Sequence, residues 1–364
     1  MTISMIDLKA QHRHLQDEIE PLVLDILRSG HYILGQQVKQ FEKAAAQYLG
    51  CQYTVGVNSG TDALHLALRA LNVQPSDEVI LPAFTFAATV EVILYCDAKP
   101  VFIDIDPDTF NLDLNQLESL ITDKTKVIMP VHLYGNPVDM PRLMALAKAY
   151  HLKVIEDAAQ AFGASWQGQK AGSFGDIACF SFYPTKNLSC CGDGGLITTQ
   201  SKEIYEILLS LRNHGSHKRY YHDRLGYCSR LDELQAAILN VKLKHLDAFN
   251  QQRHAIAQQY HRYLQDTVTL PSEQPQAVHS YHQYTILHEK RDLIAEHLKK
   301  TDIASAIYYP IPLHQQNMFA GAYKHLSLPV TDKVSQQCLS LPIFPEMDEA
   351  QIEQVVTQVK QALL

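Results

Sequence analysis

The feature that most constrains the fold is an alternation that runs from Tyr53 to Glu156. Short runs rich in β-branched residues, at 53–57, 78–81, 100–105, 126–131 and 153–156, take turns with stretches of helical apolar spacing at 62–71, 87–95, 114–121 and 140–150. Successive strands joined by helices can pair only in parallel, with the helices covering both faces of the sheet. A helix at 36–48 precedes this region, and further strands at 176–182 and 196–199 and a helix at 203–211 follow it. A long helical region at 231–264 is expected to break near Phe249. The last hundred residues change character, with strands at 284–287 and 306–309 and helices at 292–300 and 349–363. The reading is therefore an α/β protein with a mostly parallel sheet, a large domain at 1–250 and a smaller α+β domain at 251–364.

Composition closes several other routes. A net charge of -8 without a basic tail argues against nucleic acid and anionic membrane surfaces as partners. No apolar run reaches bilayer-spanning length, and Met1 to Glu18 is polar and acidic, unlike a secretory signal. The seven cysteines are scattered and lack a C-x-x-C spacing, as expected of reduced thiols in the cytoplasm. The 18 histidines show neither H-x-x-x-H nor H-E-x-x-H, so no metal site is expected.

Four stretches carry candidate chemistry. Ser181-Phe182-Tyr183-Pro184-Thr185-Lys186-Asn187-Leu188 ends a buried strand and leads to the glycine cluster Gly192-Asp193-Gly194-Gly195. A buried lysine on such a turn has a lowered pKa and a free lone pair for Schiff-base chemistry, though most lysines are solvated surface charges. Asn58-Ser59-Gly60-Thr61 opens a helix after a strand, where free amides bind anions; a plain helix cap has the same sequence. Glu156-Asp157-Ala158-Ala159-Gln160 closes a strand, which places Asp157 where open sheets hold ligands. That carboxylate can hold a protonated ring nitrogen, or simply cap a turn. Pro82-Ala83-Phe84-Thr85-Phe86 adds aromatics past another strand end, for stacking or for the core. Anion cradle, carboxylate, aromatic and lysine together match pyridoxal 5′-phosphate (PLP).

These stretches, together with Gly30-His31-Tyr32-Ile33-Leu34-Gly35, Arg230-Leu231-Asp232-Glu233-Leu234-Gln235-Ala236-Ala237 and Tyr309-Pro310-Ile311-Pro312-Leu313-His314, run in order along nearly the whole chain. In them the sequence resembles the fold-type I PLP-dependent aminotransferases of nucleotide sugars, the DegT–StrS type. The resemblance implies that Lys186 carries the cofactor and shuttles the proton, and that Asp157 holds the ring nitrogen. It also implies that Gln160 holds the phenolic oxygen, that Phe86 stacks on the ring, and that Gly60, Thr61 and Ser181 bind the phosphate. Arg230, Tyr309 and His314 fall in segments that meet cofactor or substrate. A homodimer with shared active sites and L-glutamate as amino donor are further implications.

The segment from His214 to His222, followed by Gly226-Tyr227, is similar to members that aminate C3 of the sugar, most of all those acting on UDP-2-acetamido-2-deoxy-3-oxo-glucuronate. Enzymes of dTDP-3-oxo-6-deoxyhexoses share a similar segment and stand as the alternative. Sugar dehydratases of the same fold replace the lysine with histidine, and Lys186 is present. A non-catalytic regulatory protein on this scaffold is the rival of another class, opposed by intact Lys186, Asp157 and Gln160. Two positions depart from the family pattern. Cys228 stands where relatives carry an asparagine that reaches the partner's PLP phosphate, and Phe344 stands where many carry histidine.

Overall fold

The computed structural model describes residues 2–364. Seven strands form its central sheet: β1 (Tyr53–Val57), β2 (Glu78–Pro82), β3 (Lys99–Ile103), β4 (Thr125–Ile128), β5 (Lys153–Asp157), β6 (Ile177–Ser181) and β7 (Gly195–Thr199). They lie in the order β1-β7-β6-β5-β4-β2-β3, parallel except for β7, which runs antiparallel to both of its neighbours.

The period of two along each strand divides the core. Val79, Leu81, Ile155, Ile177, Cys179 and Ile197 pack on one face against the helices Gly60–Ala70, Ala88–Leu94 and Lys202–Leu211. Ile80, Ile128 and Val154 face the opposite way, toward Met140 and Leu143 of the helix Met140–Ala149. Ala178, Phe180 and Leu196 meet Phe41 of Gln36–Leu49 and Leu239 of Glu233–Leu264. Glu156 and Asp157, neighbours at the end of β5, therefore point to opposite faces. That alternation positions the site.

A second core joins Tyr260 and Leu264 to Tyr284, Ile286, Leu339, Leu341, Val355 and Val359. Its two-stranded sheet pairs Tyr284–Leu287 with Cys338–Leu341. Ile3 belongs to this core and bridges Ile303, so the N-terminal residues pack with the C-terminal ones.

Three expected elements differ. The helix Glu233–Leu264 is unbroken, and position 250 falls inside it. No Pro or Gly interrupts it, Phe249 is buried against Leu15 and Ile19 of the helix Leu8–Ser29, and the polar Asn250 and Arg253 turn inward. Of the helix expected at 114–121 only a 3₁₀ turn, Leu117–Leu120, forms. Asp113 takes the Asn115 N–H (2.9 Å) and the Gln116 side chain (2.8 Å), a local alternative to helix. Residues 306–309 make one bridge, Ala306 to Ser340, rather than a strand, and Tyr309 goes to the site instead. The helix Leu8–Ser29 has an apolar stripe too thin to mark it locally, and Asp7 caps it through the Ala10 N–H at 2.9 Å.

Candidate active site

The end of β5 sets two carboxylates side by side. Glu156, buried, accepts from the N–H groups of Gly172 (2.7 Å), Phe174 (2.8 Å) and Gly175 (2.7 Å). His132 lies 2.9 Å from it through Nε2, and because His132 Nδ1 accepts the Val138 N–H at 3.0 Å, Nε2 is the donor. Glu156 is thus saturated. Asp157 is equally buried but accepts only the Thr89 hydroxyl at 2.8 Å and the Ala159 N–H at 3.2 Å. Burial raises its pKa, against the lowering effects of those two hydrogen bonds and of the nearby charge of Lys186. A carboxylate accepts about four hydrogen bonds, so Asp157 keeps room for a strong, charged donor.

Lys186 sits on the turn after β6. Phe182 N–H reaches Gly194 O (2.8 Å), Cys190 N–H reaches Phe182 O (2.7 Å), and Lys186 N–H reaches Tyr183 O (2.8 Å). Leu188 is fully buried and anchors the turn. Burial lowers the Lys186 pKa to about 8, opposed by the charge of Asp157. The amine is accordingly a nucleophile near neutral pH, on the face of the sheet that Asp157 occupies.

The helix Gly60–Ala70 begins on the same face. Ser59 caps it by accepting the Asp62 N–H at 3.0 Å, so the plain cap is real. Side-chain capping serves one amide, whereas the first-turn amides lack intrahelical acceptors and leave an anion site. A Cβ on Gly60 would lie 2.6 Å from Ser181 Cβ, and one on Gly195 only 2.3 Å from Ser59 O. Only glycine lets β6, β7 and this helix start converge so closely. Ser181 and Thr61 thereby border one cradle with Gly60.

Gln160 accepts the Tyr134 N–H at 2.6 Å and donates through Nε2 to the Tyr309 hydroxyl at 3.1 Å. Phe86 is 56% exposed, with its ring 6.1 Å from that of Tyr309, and offers an open aromatic face at the β2 end. The carboxylate with spare capacity, the amide cradle, the open ring and the low-pKa amine fit PLP. When bound, this cofactor withdraws electrons from the amine-bearing carbon.

Two expected site residues are not hydrogen-bonded to this chain's lysine turn. His314 is only 2% exposed, its ring 6.2 Å from Phe102 and 3.9 Å from Asp332. Arg230 donates to Asn213 Oδ1 (3.3 Å) and Cys228 Sγ (3.1 Å), also apart from this chain's own lysine. Sequence reasoning missed Thr89, which donates to the Asp157 carboxylate, and His132, whose backbone N–H donates to the Asp157 carbonyl. Thr89 lies 68 residues away in sequence, and only its place in the first turn after Phe86 hinted at this contact. Among the described residues no group of three or more His, Cys, Asp or Glu side chains is placed to hold a metal ion, and no helix is long and apolar enough to cross a membrane.

A low-pKa lysine past the strand ends of a mostly parallel sheet, with a buried aspartate and a helix N-terminus beside it, fits a fold-type I aminotransferase. The chain belongs to the DegT/DnrJ/EryC1/StrS aminotransferase family, whose sequence profile matches residues 13–360. It is 49% identical to a UDP-N-acetyl-3-dehydro-α-D-glucosamine 3-aminotransferase of Acidithiobacillus ferrooxidans, over 99% of this chain and 98% of the relative. Identity is 48%, with the same coverage, to a protein of Geobacillus stearothermophilus named a pleiotropic regulatory protein. It is 42%, over 96% and 98%, to a UDP-2-acetamido-2-deoxy-3-oxo-D-glucuronate aminotransferase of Pseudomonas aeruginosa. Among solved structures, S. venezuelae DesV superposes with a TM-score of 0.97 at 40% identity, covering 99% of this chain and 98% of that one. A putative sugar aminotransferase of Streptococcus pneumoniae, solved in its PLP form, gives 0.88 at 29% identity, covering 95% and 96%. The protein is a PLP-dependent sugar aminotransferase.

Proposed function

We propose that the protein moves an amino group from L-glutamate to C3 of a UDP-linked 2-acetamido-3-keto hexose, with Lys186 as the cofactor lysine and proton carrier. The observation that carries the reading is the pairing of a low-pKa amine at Lys186 with the part-filled, buried carboxylate of Asp157. Asp157 would keep the ring nitrogen protonated, and Gly60, Thr61 and Ser181 would hold the phosphate. Gln160 would donate to the ring oxygen, and Phe86 would cover one ring face. Lys186, once released, is a desolvated base able to move a proton between the amine-bearing carbon and the cofactor.

The similarity to two relatives that act on UDP-linked 3-keto sugars supports the substrate class. The higher identity to the glucosamine enzyme widens the expected C6 group from a carboxylate alone to a carboxylate or a hydroxymethyl. A relative named a dTDP-3-amino-3,4,6-trideoxy-α-D-glucose transaminase, at 41% identity, keeps dTDP sugars as the alternative. We also propose a homodimer in which residues 214–230 of one copy complete the partner's site. In support, this segment exposes Tyr220 (79%) and Leu225 (85%), and its Arg230 stands apart from its own lysine.

The test is an assay of the PLP-loaded enzyme with glutamate against the UDP-linked 3-keto acetamido-glucose, its uronate, and a dTDP-3-oxo-6-deoxyhexose. Preference of about tenfold or more in kcat/KM for either UDP sugar, about 1.4 kcal/mol in transition-state binding, is expected. Preference for the dTDP sugar would reverse the assignment. No transfer with any acceptor would favour the regulatory reading that the Geobacillus relative's name suggests.

A further inference from the structure

The residue after the cofactor lysine is itself held from two sides. Asn187 is buried, and its Nδ2 donates to the carbonyl of Ser280 at 2.7 Å and to Asn250 Oδ1 at 2.8 Å. Asn250 lies on the helix Glu233–Leu264 and is fixed in turn by donating to Phe162 O at 3.2 Å. Ser280 belongs to the segment 279–283, and its N–H donates to Gly135 O at 2.9 Å. The neighbouring Tyr134 N–H holds Gln160 Oε1, and Gln283 N–H returns to Tyr134 O at 3.2 Å. One segment of chain thus ties down both the lysine turn and the glutamine. A Cβ on Gly135 (φ +95°) would lie 2.2 Å from Ser280 Oγ, so the approach of this segment is built into the backbone.

We propose that Asn187 is a positioning residue for Lys186: by tying the lysine turn to Ser280 and Asn250 it sets how deeply the amine is held away from water. The inference rests on Lys186 being the reactive lysine. Asp157 from β5 opposes the lowering of that amine's pKa, His282 from the segment 279–283 feels the amine's charge, and Arg253 of the long helix and His279 act on His282 in turn. His282 is buried and kept neutral by that burial, by Lys186 and by Arg253, so it sets no like charge against the amine. With the tie cut, water reaches the turn and the desolvation that lowers the amine's pKa is relieved.

The experiment is performed on the apo-protein. Labelling of Lys186 by an amine-reactive aryl sulfonate is followed against pH and mapped by mass spectrometry, for wild type, Asn187→Ala and Asn250→Ala. Wild type should show a midpoint near 8, in keeping with its half-buried, partly desolvated side chain. Asn187→Ala should raise it by about one pH unit toward the ordinary lysine value, and Asn250→Ala by less in the same direction. In the PLP-loaded Asn187→Ala enzyme kcat should fall about tenfold, with KM changed far less. An unmoved midpoint with only a lowered melting temperature would make Asn187 merely structural and overturn the proposal. Should Asn187→Ala fail to fold, Asn250→Ala decides by the same shift or its absence. Borohydride trapping of wild type separates the failures. A pyridoxyl group on another lysine removes the site reading and this one with it, whereas one on Lys186 with unmoved midpoints removes this one alone.

Discussion

Glu156 and Asp157 are consecutive, both buried and both acidic, yet the two faces of β5 make different things of them. On one face Glu156 takes four donors, three of them backbone amides of residues 172–175. It fastens a loop under the sheet and has nothing left to offer a ligand. On the other face Asp157 has two donors and a pKa raised by burial. A buried carboxylate with unspent acceptors is costly by itself and becomes favourable once a cationic donor arrives. The difference between a saturated acid and one able to take a ligand lies in the donors around it and not in its residue type.

The largest effect that sharpens this contrast comes from the group Asp157 faces. Lys186→Ala should still bind PLP through Asp157 and the Gly60–Thr61 amides but lose turnover by about a thousandfold or more, since nucleophile and proton carrier vanish together. Titrating PLP into the apo-variant and following a single turnover checks both halves; retained turnover would move the chemistry to another group.

Next comes the direct exchange of the two acids for amides. Asp157→Asn should cut the glutamate half-reaction by about a hundredfold, because an amide cannot hold the ring nitrogen protonated. The stability of the apo-form should move the other way. A carboxyl whose folded pKa is raised binds more protons folded than unfolded, so its contribution is full below the unfolded pKa and is lost as pH rises through the folded one. At neutral pH apo Asp157→Asn should therefore melt no lower than wild type. Glu156→Gln leaves backbone donors facing an amide and should cost about 2–4 kcal/mol of stability. Thermal melts of the two apo-variants, run together, break the comparison if their order is reversed.

A smaller effect is expected at Cys228. An asparagine amide reaching the partner's phosphate would add a charge-assisted bond of about 1.5–3 kcal/mol, so Cys228→Asn should bind PLP about tenfold more tightly. Unchanged affinity would show that Arg230, which donates to Cys228 Sγ, already fills that role or that the loop lies off the phosphate. Smallest is Tyr309→Phe, which leaves Gln160 Nε2 without its protein acceptor. A loss of about 0.5–1.5 kcal/mol, a few-fold in kcat/KM, follows for one neutral hydrogen bond.

Much of this was legible before any coordinates. Strand–helix alternation gives β1 to β5, because parallel pairing leaves few other ways to bury both faces, whereas β7 runs antiparallel to its neighbours. Lys186, Asp157 and Gly60 stand at strand ends and helix starts, where local sequence marks the boundary. What stayed hidden depends on long-range contact. Thr89 meets Asp157, and Tyr309 meets Gln160 across 149 residues, with no local pattern to announce either. The polar run after Phe249 reads as a break on average, and only the fold shows that Asn250 and Arg253 turn inward. His314 packs beside Phe102, a neighbour 212 residues back in the chain that no local pattern announces.

The central claim is that the amine of Lys186 is where the cofactor attaches. Reduction of the PLP-loaded protein with borohydride, digestion and mass spectrometry of the peptides tests it most directly. The account predicts loss of the visible absorption band and a pyridoxyl group on Lys186 alone. A pyridoxyl group on Lys153 or Lys170, or no label at all, would contradict it.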